Sequence, residues 1–336
     1  MLIKQLISHG KTPIESSGLS YSFAGDKRKL LKHLMTQTFE HPKVRDLAWV
    51  IASPSMIQAQ IAHRPVFSDK DCAKAYSKTL ARLQKLEEDP APLLSYLEQL
   101  KSHRVGQYFE ALTHYWLKHL TDVEIIANNL QLKEGNQTLG EMDFLFREDE
   151  KLLHWEVAVK YYLQLAPDCE EHEYIGPNTA DNLTSKIERL FEKQLPRSTE
   201  KNLVRALGTL DGSCSIKRQA FVKGWLFYRG YPETFGNCPS SINTDHLKGF
   251  WIHQGEDKLP TEDQGSLWAL LEKPYWLAPK LSTTTDGLMT REQLEALLES
   301  HFNDKKSPLL VAQLKPCASG YLERFRGFVV SSQWPN

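Results

Sequence analysis

Two carboxylates and an amine lie on neighbouring segments that the sequence predicts to be the strands of a β-hairpin. Asp143 is in the first strand, and Glu156 and Lys160 are in the second. Because side chains alternate along a strand, Glu156, Ala158 and Lys160 share one face. The other face has the apolar pattern of a protein core, with Trp155, Val157, Val159 and Tyr161. The charged groups therefore point away from the apolar side.

This set of side chains could hold a hard metal ion and a water molecule beside a phosphate. Phosphodiester hydrolysis needs an attacking water and neutralisation of negative charge, which Mg²⁺ or Mn²⁺ can supply. Mg²⁺ takes oxygen ligands and keeps several waters, so few carboxylates are required. We predict that Asp143 and Glu156 bind the metal, with the carbonyl of Val157 as a third ligand. Lys160 would orient the water or hold the phosphate, and Glu110 would complete a second metal position.

A simpler interpretation of the hairpin is a solvated face with an ion pair across the strands. Glu110 likewise has an alternative role as an ordinary surface residue of a helix. His154 shares the face of Glu156, and we expect a packed neighbour rather than a metal ligand. The order of the elements that flank the hairpin favours the catalytic interpretation.

A basic stripe follows on the next predicted helix. Lys186, Arg189 and Lys193 have the spacing i, i+3 and i+7, which could place them along a phosphate backbone. The alternative, which the spacing alone favours, is a solvated helix face paired with neighbouring glutamates. Gln194, near the end of this helix, is a further candidate to support the site.

Composition excludes several classes of protein. The chain has 336 residues and a formal net charge of −1, so any site for a polyanion must be a local patch. Five scattered cysteines without a CxxC pair argue against a disulfide framework and a cysteine zinc site, and favour a cytoplasmic location. No apolar run approaches the roughly 20 residues that span a bilayer, and residues 1–10 are too mixed for a signal peptide. HExxH, GxSxG and P-loop patterns are also missing.

The elements that must position these residues fall into three predicted regions. Residues 1–102 are predicted to be a helical lobe without residues arranged for chemistry, with helices at 26–35, 45–52 and 69–88 and another from 93. Residues 103–230 are predicted to form an α/β core. Its elements are a helix at 105–120, strands at 123–132, 142–146 and 152–165, a helix at 181–195 and a strand at 220–228.

Residues 231–336 are predicted to be a C-terminal α+β extension of the same sheet. We expect strands at 247–253 and 327–330 and helices at 265–272 and 290–301. Thr290 and Glu292 resemble the start of a helix.

The region 103–230 resembles the PD-(D/E)xK nuclease superfamily. The pattern of that superfamily is an acidic residue on the second strand and Glu-x-Lys on the third, often with a glutamate on the preceding helix. Asp143, Glu156 and Glu110 stand at those places, whereas Ala158 replaces the lysine and Lys160 lies two residues further on the same face. The resemblance implies a restriction-endonuclease-like core of helix, three strands, helix and strand, with Mg²⁺ as the cofactor.

Nearly the whole chain also resembles an uncharacterised bacterial family known as a domain of unknown function within that superfamily. The resemblance implies a nuclease-like fold and no measured activity. The residues that carry it are 140–143, 154–160, 176–178, Lys186, Gln194, 275–279, 326–330 and 334–335.

We therefore expect metal-dependent hydrolysis of nucleic acid, DNA before RNA, with no membrane partner. The alternative is an inactive nuclease-like fold that binds nucleic acid or assembles with protein, which the displaced lysine and the near-zero net charge motivate. A third hypothesis is a purely protein-binding factor that docks through the lobe at 1–102. The sequence does not identify a protein partner.

Overall fold

The computed structural model describes residues 39–59, 64–134, 136–208, 215–230 and 237–335. The predicted helix at 26–35 lies outside these residues. The described chain is a mixed α/β structure in which N-terminal helices pack on a ten-stranded sheet. The predicted α/β class is confirmed.

In the described residues, four helices precede the sheet. They are α1 (Pro42–Ala52), α2 (Asp69–Glu88), α3 (Ala91–Leu97) and α4 (Val105–His119). The start of α2 is fixed by a capping box, in which the Ser68 hydroxyl accepts from the Asp71 backbone N–H and the Asp71 carboxylate accepts from the Ser68 N–H. None of the helices that the structure describes is long and apolar enough to cross a membrane.

The first half of the sheet is built around one long central strand. It comprises β1 (Glu124–Glu134), β2 (Gln137–Glu148), β3 (Lys151–Gln164), the short β4 (Tyr174–Ile175) and β5 (Ile216–Arg229). The pairs β1–β2 and β2–β3 are antiparallel, whereas β3 and β5 are parallel from the pair Leu152 and Ile216 to the pair Leu163 and Phe227. A parallel pair needs a crossover connection, and the segment between β4 and β5 provides it.

The crossover changes its type of helix three times. It begins as α5 (Leu183–Glu188), continues as a π-helical turn (Arg189–Gln194) and a 3₁₀ turn (Leu195–Arg197), and ends in α6 (Glu200–Leu207). The predicted helix at 181–195 is therefore present, but only its first part is α-helical. A π turn shifts every following side chain around the axis relative to an α-helix.

The rest of the described chain continues the sheet. It contains β6 (Leu247–His253), β7 (Leu267–Leu270), β8 (Leu281–Ser282), α7 (Arg291–Asp304), β9 (Leu309–Cys317) and β10 (Gly320–Val330). The strand order is β1-β2-β3-β5-β6-β10-β9-β7, with β4 beside β3 and β8 beside β10.

The predicted helix at 265–272 is wrong. Residues Leu267–Leu270 form a strand that pairs with β9, from Leu267 opposite Leu314 to Leu270 opposite Val311. Trp268 and Ala269 are almost fully buried there. A short apolar run can be a strand or a helix, and the unpaired edge of β9 decides in favour of the strand.

The two faces of β3 bury different layers. Trp155 packs on the helical lobe side, where its ring stacks on Phe221 of β5 at 5.0 Å between centroids. On the other face, Ala158 and Tyr162 pack against Leu183 and other residues of the crossover. The polar residues of this second face lie between β3 and the crossover segment.

Candidate active site

The strands β2 and β3 separate at the predicted site. Their ladder ends at the pair Phe144 and Trp155. At the next step the backbone N–H of Val157 donates to Oδ2 of Asp143, at 2.8 Å, rather than to a backbone carbonyl. The N–H and C=O of one strand residue point to the same edge. The carbonyl of Val157 therefore faces the same edge as Asp143, as its predicted role requires.

Glu156 is fully buried and both of its oxygens are engaged. Oε1 lies 3.0 Å from Nε2 of His154, and Oε2 accepts from the side-chain amide of Gln194. The other nitrogen of His154 lies 2.9 Å from Oγ of Ser198, which also accepts from Nε of Arg218. A chain of buried polar groups thus fixes the carboxylate of Glu156.

The pKa values of both carboxyl groups are raised. Burial, and after it the charge of Glu156, raises the pKa of Asp143 to about 7, although the N–H of Val157 and the charge of Lys186 oppose this rise. Burial also raises the pKa of Glu156 to about 7, although Lys186 and Arg197 oppose this rise. Since desolvation and like charge both disfavour the ionised pair, a cation between these groups would be stabilised.

His154 is neutral at pH 7. Burial lowers its pKa to about 4, against the opposing pull of Asp143. A neutral imidazole donates through only one nitrogen. It therefore either donates to an ionised Glu156 or accepts a proton from a protonated one. This agrees with the expected role of a packed neighbour that orients Glu156.

Glu110 lies on α4 near the pair but is held by β1. Its Oε1 accepts from the side-chain amide of Asn129, and the amide of Asn128 donates to the backbone carbonyl of Asp143 at 3.1 Å. Burial raises the pKa of Glu110, and the charge of Asp143 adds to that effect. Asn129 has φ +54, a left-handed conformation that asparagine tolerates better than most residues.

Lys160 is directed away from the carboxylate pair. Its ammonium pairs with Asp181, whose Oδ2 also accepts from the Tyr162 hydroxyl at 3.1 Å. In the described residues, Asp181 is the carboxylate within salt-bridge distance of Lys160. Because Lys160 lies two residues beyond Ala158 on β3, its amine reaches Asp181 at the start of the crossover.

Lys186 is the lysine that the fold places beside the carboxylates. Its Nζ lies 3.3 Å from Oε1 of Gln194, whose amide in turn contacts Glu156. Its positive charge lowers the pKa of both Asp143 and Glu156, and burial lowers its own pKa. Arg189 and Lys193, the other residues of the predicted basic stripe, are exposed on the π turn.

The residues present fit a Mg²⁺ ion held by two carboxylates. In the described parts of the chain, no group of three or more His, Cys, Asp or Glu side chains could hold an ion by itself. Asp143 is partly buried and Glu156 fully buried, and the carbonyl of Val157 lies on the same edge as Asp143. Mg²⁺ in phosphoryl-transfer sites usually has one or two protein carboxylates, with water and phosphate oxygens as its other ligands.

Sequence reasoning missed several residues of this site. Asn129, Asp181, Arg197 and Ser198 all lie in or beside irregular backbone, where no periodic pattern indicates direction. The only signal for Asn129 in the sequence is the Asn-Asn dipeptide directly after the apolar run at 125–127.

A comparison with protein families gives a match over most of the chain. The model of a domain of unknown function, DUF1853, covers residues 45–330. The chain belongs to the DUF1853 family. The family match includes α4, the β2–β3 hairpin, the crossover and β10, and so all the site residues described above. Searches of curated proteins and of solved structures gave no match.

Proposed function

We propose that this chain hydrolyses phosphodiester bonds of nucleic acid, DNA before RNA, in a Mg²⁺-dependent reaction at a PD-(D/E)xK-like site. Mn²⁺ would serve in place of Mg²⁺. The observation that carries the proposal is the separation of β2 and β3 at the partly buried Asp143 and the fully buried Glu156, both with a pKa of about 7. The element order of helix, three strands, crossover helix and strand also supports the superfamily resemblance.

Each residue of the site has a distinct task in this proposal. Asp143, Glu156 and the carbonyl of Val157 would hold the ion, which would neutralise charge on the phosphate and activate the attacking water. His154 keeps Glu156 in place through the contact at 3.0 Å. Glu110, restrained by Asn129, would contribute a carboxylate to a second metal position.

Lys186 rather than Lys160 is the ammonium we assign to the attacking water or the phosphate. It shares Gln194 with Glu156 and lies close enough to both carboxylates to lower their pKa values. Lys160 keeps a structural task at Asp181, where its charge is neutralised. The superfamily pattern has its lysine at the position of Ala158. If the crossover supplies this amine through Lys186, no lysine is needed at position 158.

Arg189 and Lys193 are proposed to contact the nucleic acid outside the reacting phosphate, because they are exposed on the segment that carries Lys186. A cytoplasmic location is part of the proposal. Its support is that the cysteines of the described residues, Cys72, Cys169, Cys238 and Cys317, are free.

The test is an incubation of the pure protein with plasmid, linear duplex, single-stranded and branched DNA, and with RNA, in Mg²⁺ or Mn²⁺. We expect cleavage of at least one substrate that EDTA abolishes and that Asp143→Asn reduces by at least about 100-fold. Absence of cleavage on every substrate, or an Asp143→Asn protein as active as the native one, would contradict the proposal.

A second candidate is an inactive nuclease-like module that binds nucleic acid or assembles with protein. The observation in its favour is that Glu156 already has partners on both oxygens, His154 and Gln194. Binding that weakens steeply with salt but is unchanged by Glu156→Gln, without turnover, would favour this candidate. Recovery of a protein partner after nuclease treatment would point to assembly through the N-terminal helices instead.

A further inference from the structure

Arg197 is a cation near Glu156 that has no acidic partner among the side chains that the structure describes. Its guanidinium donates to the backbone carbonyl of Glu141 at a long 3.4 Å, and none of the ion pairs among the described residues includes it. It is half-buried, and its charge acts on both Glu156 and His154. By contrast, nearby Arg205 on α6 pairs with Glu134 at 3.0 Å.

A glycine provides the space that Arg197 occupies. A Cβ at Gly140 would lie 2.4 Å from Cζ of Arg197, and 2.6 and 2.7 Å from two of its nitrogens. Gly140 also has φ +144, a conformation that other residues rarely adopt. The guanidinium therefore lies directly on the backbone of β2, three residues before Asp143.

The backbone of Arg197 is held in place. Its carbonyl accepts from the side-chain amide of Asn202 at 2.8 Å and from the backbone N–H of Thr199 at 2.8 Å. Thr199 in turn caps α6 by accepting from the N–H of Asn202. Because the backbone at position 197 is already fixed, less conformational freedom is lost when this residue binds a ligand.

We propose that Arg197 and Lys186 form a phosphate-binding site for the backbone of a polynucleotide, in which the guanidinium of Arg197 packs against the backbone of Gly140. Both are cations without a carboxylate partner in the described chain, and both lie beside Glu156. A guanidinium presents a planar fork that matches two phosphate oxygens. The inference rests on the proposed function for its substrate class, but binding can be measured without cleavage.

The experiment measures binding of a fluorescein-labelled 20-mer, single-stranded and duplex, to the native protein in EDTA over a range of salt concentrations. We expect Arg197→Gln to weaken binding by about tenfold or more and to reduce the slope of log K against log salt by about 0.7–0.9. Arg197→Lys should restore part of the affinity and the full slope, since it keeps the charge but loses the fork. Arg205→Gln is the matched control and should retain native affinity and slope.

Gly140→Ala tests whether the space beside Gly140 is needed, and it leaves the charge of Arg197 unchanged. It should weaken binding as Arg197→Gln does, because the new methyl group displaces the guanidinium, while thermal unfolding shows that the variant is folded. Native affinity and slope in Arg197→Gln, equal losses in Arg205→Gln, or a native protein that binds neither 20-mer would overturn the inference. A protein that binds through Arg197 but cleaves nothing in any metal would overturn the proposed function alone.

Discussion

At the scale of single residues, the raised pKa of the partly buried Asp143 should affect how stability depends on pH. The pKa of Asp143 is about 7 in the folded protein, against a usual value of 3.8 for aspartate. Between about pH 4 and pH 7, the folded state therefore keeps a proton on this carboxyl group that the unfolded state has lost. As pH rises through this range, the contribution of Asp143 to the stability of the fold decreases. Asp143→Asn removes this dependence.

The expected result is that Asp143→Asn gains stability relative to the native protein as pH rises from about 4 to 7, by on the order of 3 kcal/mol. Urea denaturation at several pH values measures it. Asp149→Asn, at an exposed position in the turn of the same hairpin, should run parallel to the native protein. Parallel curves for Asp143→Asn would contradict the prediction.

Mg²⁺ at pH 8 should raise the Tm of the native protein but not that of Asp143→Asn.

The two candidate lysines can be separated by activity. Lys186→Gln should lower the cleavage rate by roughly 100-fold, since it removes the ammonium beside both carboxylates. Lys160→Gln should lower the rate by only a few fold, because that amine is paired with Asp181. The measurement is kcat on the substrate found in the nuclease screen, with Lys258→Gln showing the effect of removing an exposed cation outside the site. A larger loss in Lys160→Gln than in Lys186→Gln would restore the sequence-based assignment.

Asp143 and Glu156, the two metal ligands that the sequence predicts, lie on regular strands. Alternation along β3 is enough to place Glu156 on the polar face, and its spacing from Asp143 follows from the hairpin. The structure brings Lys186 to the carboxylates through Gln194, which depends on the winding of the crossover. Neither periodicity nor residue type shows where a chain leaves the α-helical path, so Lys160 was the more visible amine.

At the scale of elements, the left-handed backbone at Asn129 on β1 should make the free energy of unfolding sensitive to substitution at this position. Asn129 adopts φ +54 and binds Glu110. Asn129→Val should lower the free energy of unfolding by about 2 kcal/mol, since a β-branched residue is strained in the left-handed region. Asn129→Gly should lose less, about 0.5–1 kcal/mol, because it keeps the backbone and loses only the side-chain contact.

Gln131→Val is the control for this pair, because it places valine on the same strand at an exposed position with ordinary backbone. We expect its stability to change by less than about 0.5 kcal/mol. If Val and Gly at position 129 were equally destabilising, backbone strain would not be the cause. Denaturation in urea measures all three variants.

Element boundaries show where local patterns are sufficient and where they are not. The predicted helix at 69–88 is confirmed because its cap and its apolar spacing are both local. The segment at 265–272 was predicted wrongly because its state is decided by β9, more than 40 residues later in the chain. Strand pairing over such a distance leaves no signal in the segment itself.

At the scale of the whole molecule, one buried arginine ties the C-terminal strands to the segment at 276–278. Arg326 is fully buried, pairs with Glu323 at 2.6 Å and donates to the carbonyls of Trp276, Leu277 and Ala278. The N–H of Ala278 in turn donates to Asp46 on α1 at 3.1 Å. The N-terminal helices and the last strand are thus joined through a single short segment.

Arg326→Met should lower the free energy of unfolding by about 3–5 kcal/mol, because it leaves a buried carboxylate and three carbonyls without their donor. Arg324→Met, two residues earlier, removes an arginine that pairs with Asp263 at the surface and should cost less than about 1 kcal/mol. Urea denaturation followed by tryptophan fluorescence measures both. Similar costs for the two variants would show that the buried network is not what holds this region together.

The position of β10 inside the sheet has a consequence for how the protein is made. β10 is inserted between β6 and β9, so that Gly327 lies opposite Phe250, and both β6 and β9 are synthesised before it. Until residue 330 has left the ribosome, the inner edge of β6 has no partner and presents its unpaired backbone. A nascent chain of this kind depends on late, distant contacts, which slow folding and favour association with other chains. Ribosome-bound chains that stop before β10 should therefore be bound by chaperones more strongly than complete ones.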